Sequence, residues 1–164
     1  MQNGIQYIAD FFPYYQTAAF EKDIPGMIGL YDENVVTFDM WGKGVSVGLT
    51  EWAAVITDWL TSLNEERVKV MFEMIDIQEG ESIGFACAII QFQAIGIDDR
   101  VLRSMRNRIT IGLVKLDGYW KVKHQLLQHQ STLTCRLYWI FKIPPNTPAA
   151  SLKLPPTLDQ PHCS

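Results

Sequence analysis

The stretch that decides the fold is residues 108–124, RITIGLVKLDGYWKVKH. Asp117-Gly118 separates two runs that are rich in β-branched and aromatic residues, and Asp-Gly between such runs is a strong signal for a tight β-hairpin. The two runs extend over residues 101–116 and 119–130. In the second run, apolar residues alternate with lysine and glutamine, which predicts one buried and one solvated face. The stretch therefore predicts two long antiparallel strands.

Two more strands precede this hairpin. Residues 67–79 and 82–97 show no helical period, and the turn Glu79-Gly80-Glu81 separates them. Further upstream, residues 35–39 are rich in β-branched side chains and predict one short strand, which Gly42, Gly44 and Gly48 interrupt.

Three helices accompany that short strand. Apolar residues recur every three or four positions in residues 5–19 and 50–63, which predicts two amphipathic helices, with Thr50 as the N-cap of the second. Asp23 and Pro25 mark the start of a short helix between them. Helices on one face of an antiparallel sheet define an α+β domain.

Net charge, cysteine spacing and hydropathy exclude several classes of protein. The chain has 164 residues and a net charge of −4, so it has no basic footprint for nucleic acid. Cys87, Cys135 and Cys163 are too widely spaced for a disulfide framework or a metal site. The sequence has neither a signal peptide pattern nor an 18-residue apolar stretch, so we expect a cytoplasmic protein without membrane attachment.

The C-terminal part differs from the rest. Residues 137–143 are apolar and aromatic, and prolines recur from Pro144 to Pro161. Proline-rich sequence cannot continue a sheet. We therefore predict a domain over residues 1–131 and a tail over residues 132–164, whose apolar run packs on the domain or on a second copy.

Two stretches resemble a known superfamily. Residues 15–42, YQTAAFEKDIPGMIGLYDENVVTFDMWG, resemble the opening of SnoaL-like and ketosteroid-isomerase-like proteins, and residues 108–124 resemble their closing hairpin. The resemblance, to the nuclear transport factor 2-like superfamily, covers about residues 5 to 131. It implies a strongly curved sheet that helices close into a cone, with a pocket between them.

The resemblance also implies three catalytic candidates. The spacing from Asp23 places Tyr15 and Asp39 where ketosteroid isomerases have their oxyanion-hole tyrosine and their general-base aspartate. A carboxylate can take a proton from carbon beside a carbonyl, and a phenol can donate to the enolate that forms. His124 matches a histidine of the SnoaL-like ending. The alternatives are a core role for Tyr15, a turn role for Asp39 and a core role for His124.

Four further residues are ligand-binding candidates. His124 alternates with Trp120 and Val122, so it is predicted to point inward, and Arg108 is assigned to the same inner side. A buried arginine needs a counter-charge, which Asp39 or a bound anion could supply, and an exposed rim position is the alternative. Trp41, Trp59 and Trp120 could line the pocket, although core roles also fit the last two.

Two functions follow as hypotheses. The first is a small-molecule-binding domain for an apolar carbonyl compound, with cofactor-free isomerisation, cyclisation or hydration as its chemistry. The second is a non-catalytic association domain, because superfamily members also assemble through the outer face of the sheet. Under both hypotheses we expect a homodimer, with Ile109, Ile111 and Leu113 on that outer face.

Overall fold

A curved six-stranded sheet and three α-helices build the domain. The computed structural model of the chain describes residues 4–40 and 44–129. The predicted α+β architecture, with the helices on the concave face of an unclosed sheet, is confirmed. The predicted tail lies outside the described residues, so the boundary at residue 131 stays a prediction.

All three predicted helices are present, but the first begins at Phe11 and not at residue 5, because Ile5 instead forms a β-bridge with Trp120. They are α1 (Phe11–Glu21), α2 (Ile24–Gly29) and α3 (Leu49–Ser62), and a 3₁₀ turn, Ile8–Asp10, precedes α1. Pro13 lies in the first turn of α1, where its missing N–H costs nothing. Asp23 caps α2, because its carboxylate accepts a hydrogen bond of 3.0 Å from the backbone N–H of Gly26.

The start of α3 differs from the prediction. Gly48, not Thr50, is its N-cap, with a φ of +84° that glycine adopts without strain. The side chain of Glu51 reaches back from the first turn and accepts a hydrogen bond of 2.9 Å from the backbone N–H of Val47. A carboxylate in this position also interacts favourably with the helix dipole.

The strands form one sheet in the order β2-β1-β6-β5-β4-β3. They are β1 (Tyr31–Phe38), β2 (Val45–Val47), β3 (Arg67–Glu79), β4 (Ile83–Ile95), β5 (Val101–Leu116) and β6 (Tyr119–His129). β1 and β6 are parallel, and all other pairs are antiparallel. The predicted hairpin at Asp117-Gly118 is present, with φ values of 50° and 85°, which suit a turn that follows the twist of the strands.

β2 is absent from the sequence prediction. The glycines around residue 44 predict the end of a strand, but β2 follows them and pairs antiparallel with β1. The backbone N–H of Asp39 donates to the carbonyl of Gly44 at 3.0 Å, which continues this ladder beyond Phe38.

The core lies between the helices and the concave face of the sheet. Phe72 of β3 packs on α1, with ring-centre distances of 5.0 Å to Phe12 and 5.9 Å to Tyr15. Trp52 of α3 packs against Tyr31 of β1 at 5.7 Å. Burial of each such side chain contributes about 1.5–3 kcal/mol.

A β-bulge in β6 determines which residues face the core. Gly112 pairs with His124, but Leu113 pairs with Val122, so Lys123 is an extra residue without an opposite partner on β5. Side chains alternate along a strand, and an extra residue reverses the alternation beyond it. The residues that face the core are therefore Trp120 and Val122 before the bulge, and Gln125 and Leu127 after it.

This reversal overturns the predicted outer face of the sheet. Ile109, Ile111 and Leu113 are buried in the core, on the concave side. Arg108 and Thr110 alternate with them and are exposed on the outer side. The aliphatic side chains face inward because burying them is favourable, whereas burying an unpaired guanidinium is costly.

In the described parts of the chain, no helix has the length and apolar character needed to cross a membrane.

Candidate functional site

Polar side chains interrupt the apolar concave face at its β1–β6 side. Thr37 of β1 lies between Ser46 of β2 and Gln125 of β6 in register, and all three are buried. Tyr31 is buried near them, and its hydroxyl donates a hydrogen bond of 2.8 Å to the side-chain carbonyl oxygen of Gln125. We call these four buried residues, Tyr31, Thr37, Ser46 and Gln125, the first polar level of the core.

A second polar level lies further along β6. His129 pairs in register with Asn107 of β5, and its Nδ1 is 2.9 Å from the side-chain oxygen of Asn107. Four residues separate His129 from Gln125, so the two levels are roughly 13 Å apart along the strand. Asn107 has 0% exposure, whereas His129 is half-buried.

Several polar atoms of these two levels have no hydrogen-bond partner among the described residues. They are Thr37 Oγ1, Asn107 Nδ2 and His129 Nε2. Leaving a buried donor or acceptor unpaired costs about 1–3 kcal/mol. Because native proteins have few such atoms, a group of them on one face indicates a site for a polar ligand atom or water.

Tyr15 reaches the interior from α1. It is 5% exposed and packs against Phe11, with a ring-centre distance of 5.4 Å. Burial raises the pKa of the Tyr15 hydroxyl well above its ordinary value. Burial also raises the pKa of Tyr31, and a negative charge on Tyr15 would raise it further. Both therefore remain neutral hydrogen-bond donors at neutral pH.

Asp39 lies just beyond the end of β1. Alternation along the strand gives it the same side as Val35 and Thr37, which are buried in the core, and Asp39 itself is half-buried. Continuing the β1–β6 register by one residue from the Phe38–Leu126 pair places Asp39 beside Leu127, between the two polar levels.

Two predicted site residues face away from this interior. His124 is exposed on the outer face, where its ring lies 5.6 Å from that of Phe38. The prediction that it points inward is wrong because the bulge at Lys123 reverses the alternation between Val122 and His124. Arg108 is also exposed on the outer face, between Ile89 and Gln128 in register, so the predicted inward orientation is wrong for it as well.

The three tryptophans have different positions. Trp120 is buried at 0% exposure near the start of β6, next to Ile5, which fits the core alternative. Trp59 of α3 is half-buried and packs edge-on against Phe92, at a ring-centre distance of 5.8 Å. Trp41 lies outside the described residues.

Sequence reasoning missed five polar residues of the interior: Tyr31, Thr37, Asn107, Gln125 and His129. The sequence of β5 does indicate that Asn107 faces inward, because it lies two and four positions before the apolar residues Ile109 and Ile111. No such signal exists for Gln125 and His129, whose orientation depends on the bulge.

A metal site finds no support in the described ranges, 4–40 and 44–129, where no three His, Cys, Asp or Glu side chains are grouped as ligands.

Solved structures with a similar architecture identify the fold. The chain is similar to an NTF2-like protein of unknown function from Pseudomonas putida KT2440, with a TM-score of 0.68 and 18% identity, over 79% of this chain and 88% of that one. It is similar to ActVI-ORFA from Streptomyces coelicolor, with a TM-score of 0.66 and 12% identity, over 75% and 94% of the chains. Aln2 from a Streptomyces species has a TM-score of 0.65 and 11% identity, over 74% and 87%. The fold is thus nuclear transport factor 2-like.

The family follows from the sequence match. The model of the SnoaL-like domain family matches residues 8–133, and the chain belongs to this family. The resemblance inferred from the two quoted stretches is thereby confirmed. No curated protein matches the chain.

Proposed function

We propose that the concave side of the sheet binds a small, mostly apolar molecule that carries one or more oxygen atoms. The observation that supports this most directly is the group of buried, unpartnered polar atoms at Thr37, Asn107 and His129. Ligand pockets are typically apolar with a few placed polar groups, which is the composition of this face.

Asp39 and Tyr15 contribute to the same pocket in this proposal. The buried Tyr15 phenol stays protonated, so it can donate a hydrogen bond to a ligand carbonyl. Asp39 supplies a carboxylate at the end of β1. The apolar wall includes Trp59, and a cofactor is not required for binding or for proton transfer between such groups.

Binding of 2-naphthol, a bicyclic phenol, tests the pocket. Thr37→Val removes only the hydroxyl group, so the free protein should keep its stability because Thr37 Oγ1 has no partner to lose. Its affinity for 2-naphthol should fall by about fivefold, the equivalent of one neutral hydrogen bond of roughly 1 kcal/mol. Calorimetric titration would measure both the wild type and the variant.

The control is Thr110→Val, at an exposed position on the outer face. It should leave 2-naphthol binding unchanged. Failure of the wild-type protein to bind 2-naphthol saturably, or equal weakening by the two substitutions, would contradict the proposed pocket.

A second function, association of two copies, is favoured by an apolar surface on the outer face. We define the outer patch as Val36, Phe38, Val47, Phe85, His124 and Leu126. Phe38 is 45% exposed and Leu126 is 42% exposed, and they are paired neighbours on β1 and β6. A contiguous apolar surface of this kind marks an interaction site. We propose that a second copy of the chain covers it, in place of the surface predicted from Ile109, Ile111 and Leu113.

Sedimentation velocity tests this association. Phe38→Asp and Leu126→Asp should convert a wild-type dimer into monomers, since each places a charge in the outer patch. Ile97→Asp changes an equally apolar, 78% exposed residue in the β4–β5 turn, so it should leave the dimer intact. A wild type that sediments as a monomer, or an outer-patch variant that stays dimeric, would exclude this surface.

A further inference from the structure

The contact between Asn107 and His129 favours one tautomer of the histidine ring. The side-chain oxygen of Asn107 can only accept, so the Nδ1 atom of His129, 2.9 Å away, carries the proton and donates. In the neutral ring, Nε2 is then left with a lone pair and no proton. This is the arrangement that a general base requires, because the orienting partner holds one nitrogen while the other is available.

Each side chain of this pair has one further polar atom, and the two atoms have complementary hydrogen-bonding roles. His129 Nε2 is an acceptor, and Asn107 Nδ2 is a donor, and both are buried without a partner among the described residues. A purely structural Asn–His pair would leave both groups unsatisfied, at a cost of about 1–3 kcal/mol for each. A ligand that presents a proton to one and an oxygen to the other would satisfy both.

We propose that His129 is the proton-transfer residue of this site, that Asn107 is its positioning residue, and that the ligand class is an enolisable carbonyl compound. The proposal rests on the proposed ligand-binding function and deepens it. It assigns the base to the end of β6 and not to Asp39, and it gives no chemical role to His124, which is exposed on the opposite face.

The step is balanced without a cofactor or a co-reactant. Nε2 of His129 takes a proton from the carbon beside the ligand carbonyl, and the electron pair of that C–H bond forms the C=C bond of an enolate. The carbonyl π pair moves onto oxygen, where the N–H of Asn107 can donate to it. Return of a proton from the imidazolium to carbon completes an isomerisation, or an exchange of hydrogen with solvent.

Deuterium exchange into 2-tetralone, an enolisable bicyclic ketone, tests the step with the full-length chain. The wild-type protein in D₂O should accelerate incorporation at the carbon beside the carbonyl above the buffer rate, as measured by proton NMR. His129→Gln keeps a hydrogen-bonding side chain but cannot take the proton, so the acceleration should fall by about 100-fold or more.

Three companion variants separate the roles. Asn107→Leu removes the acceptor, so it should lower the exchange rate by about tenfold and allow both tautomers of His129 to appear in ¹⁵N NMR spectra of the imidazole. Asn107→Asp keeps an acceptor and should preserve the single tautomer. Gln128→Ala, next to His129 but exposed on the outer face, should change nothing.

Variants of the two candidate bases decide between them. Loss of exchange in Asp39→Asn together with full exchange in His129→Gln would overturn the proposal and identify Asp39 as the base. An absence of accelerated exchange in the wild type would also overturn it. If 2-naphthol still bound under those conditions, the ligand-binding function would stand while the proton-transfer role of His129 fell. Folding of each variant is checked by circular dichroism and by 2-naphthol affinity.

Discussion

Lys123, the extra residue of the β6 bulge, donates a hydrogen bond of 2.6 Å to the carboxylate of Asp32 at the start of β1. The side chain of Asp32 is 10% exposed, and that of Lys123 is 41% exposed. The ion pair therefore joins the irregular part of β6 to the strand that lies parallel to it.

Replacing Asp32 with asparagine should destabilise the protein at neutral pH and less so in acid. Burial alone would raise the pKa of Asp32, but hydrogen bonds from Lys123 and from the backbone N–H of Asn34, with the charge of Lys123, lower it overall. A lowered pKa in the folded state contributes stability that is present at neutral pH and is lost as the pH falls through the folded pKa. Urea denaturation should show a loss of about 1–2 kcal/mol at pH 7, as the lysine is part-exposed.

The control for this substitution is Asp98→Asn. Asp98 forms an ion pair with Arg100 in which both side chains are more than half exposed, so its removal should have no measurable effect. Equal effects of Asp32→Asn at pH 7 and in acid would show that the charge of Asp32 is not what stabilises the fold.

Alkaline titration should distinguish Tyr15 and Tyr31 from the exposed tyrosines. Burial raises the pKa of both hydroxyls, so in the unfolded chain they ionise at a lower pH than in the fold. Their contribution to stability is thus complete below the unfolded value of about 10 and is lost as the pH rises above it. A jump to high pH should give a slow phase of tyrosinate absorbance that follows unfolding. Tyr15→Phe should reduce the amplitude of that phase, and Tyr7→Phe, at a 58% exposed residue, should not.

Ile111→Asp should unfold the protein and not merely dissociate a dimer. Ile111 is 2% exposed on the concave face and lies between Gln125 and Ala86 in register. An aspartate there would be a buried charge without a partner, which costs more than about 4 kcal/mol. Ser104→Asp, on the exposed side of the same strand, still offers an acceptor to Gln91 and should be tolerated. A folded, monomeric Ile111→Asp protein would contradict the assignment of faces.

Much of the fold could be predicted from the sequence because its signals are local. Asp117-Gly118 adopts the positive φ values that this pair favours, and Asp23 caps the helix that it precedes. β2 was missed because it has only three residues and follows glycines that also end strands. Its existence depends on pairing with β1, which the local sequence does not encode.

The orientation of the site residues was harder to predict because it too depends on pairing between strands, which the local sequence does not encode. A bulge is fixed by the partner strand and by contacts such as the one between Lys123 and Asp32, and lysine at an alternating position gives no sign of it. Regular alternation along β6 predicts His124 on the inner face, which the bulge prevents. The inward prediction for Arg108 fails because Ile109 and Ile111, which alternate with it, are the buried residues of β5. The burial of Tyr15 agrees with its position on a regular helix, where the period of 3.6 residues holds.

Deletion of Lys123 tests whether β6 needs the bulge to keep its inward face. Without the extra residue, Val122 is followed directly by His124, and regular alternation still leaves Val122 inside, His124 outside and Gln125 inside. The pairs Leu113–Val122 and Gly112–His124 become consecutive, so the core side chains keep their faces and the ion pair with Asp32 is lost. We expect a loss of about 1–2 kcal/mol in urea denaturation, as for Asp32→Asn. Lys123→Ala keeps the bulge and loses only the ion pair, so it should cost no more than the Asp32→Asn change, and it should retain 2-naphthol binding. A deletion variant that unfolds or loses 2-naphthol binding, beside an intact Lys123→Ala variant, would contradict this expectation and show that the bulge itself holds the site residues in place.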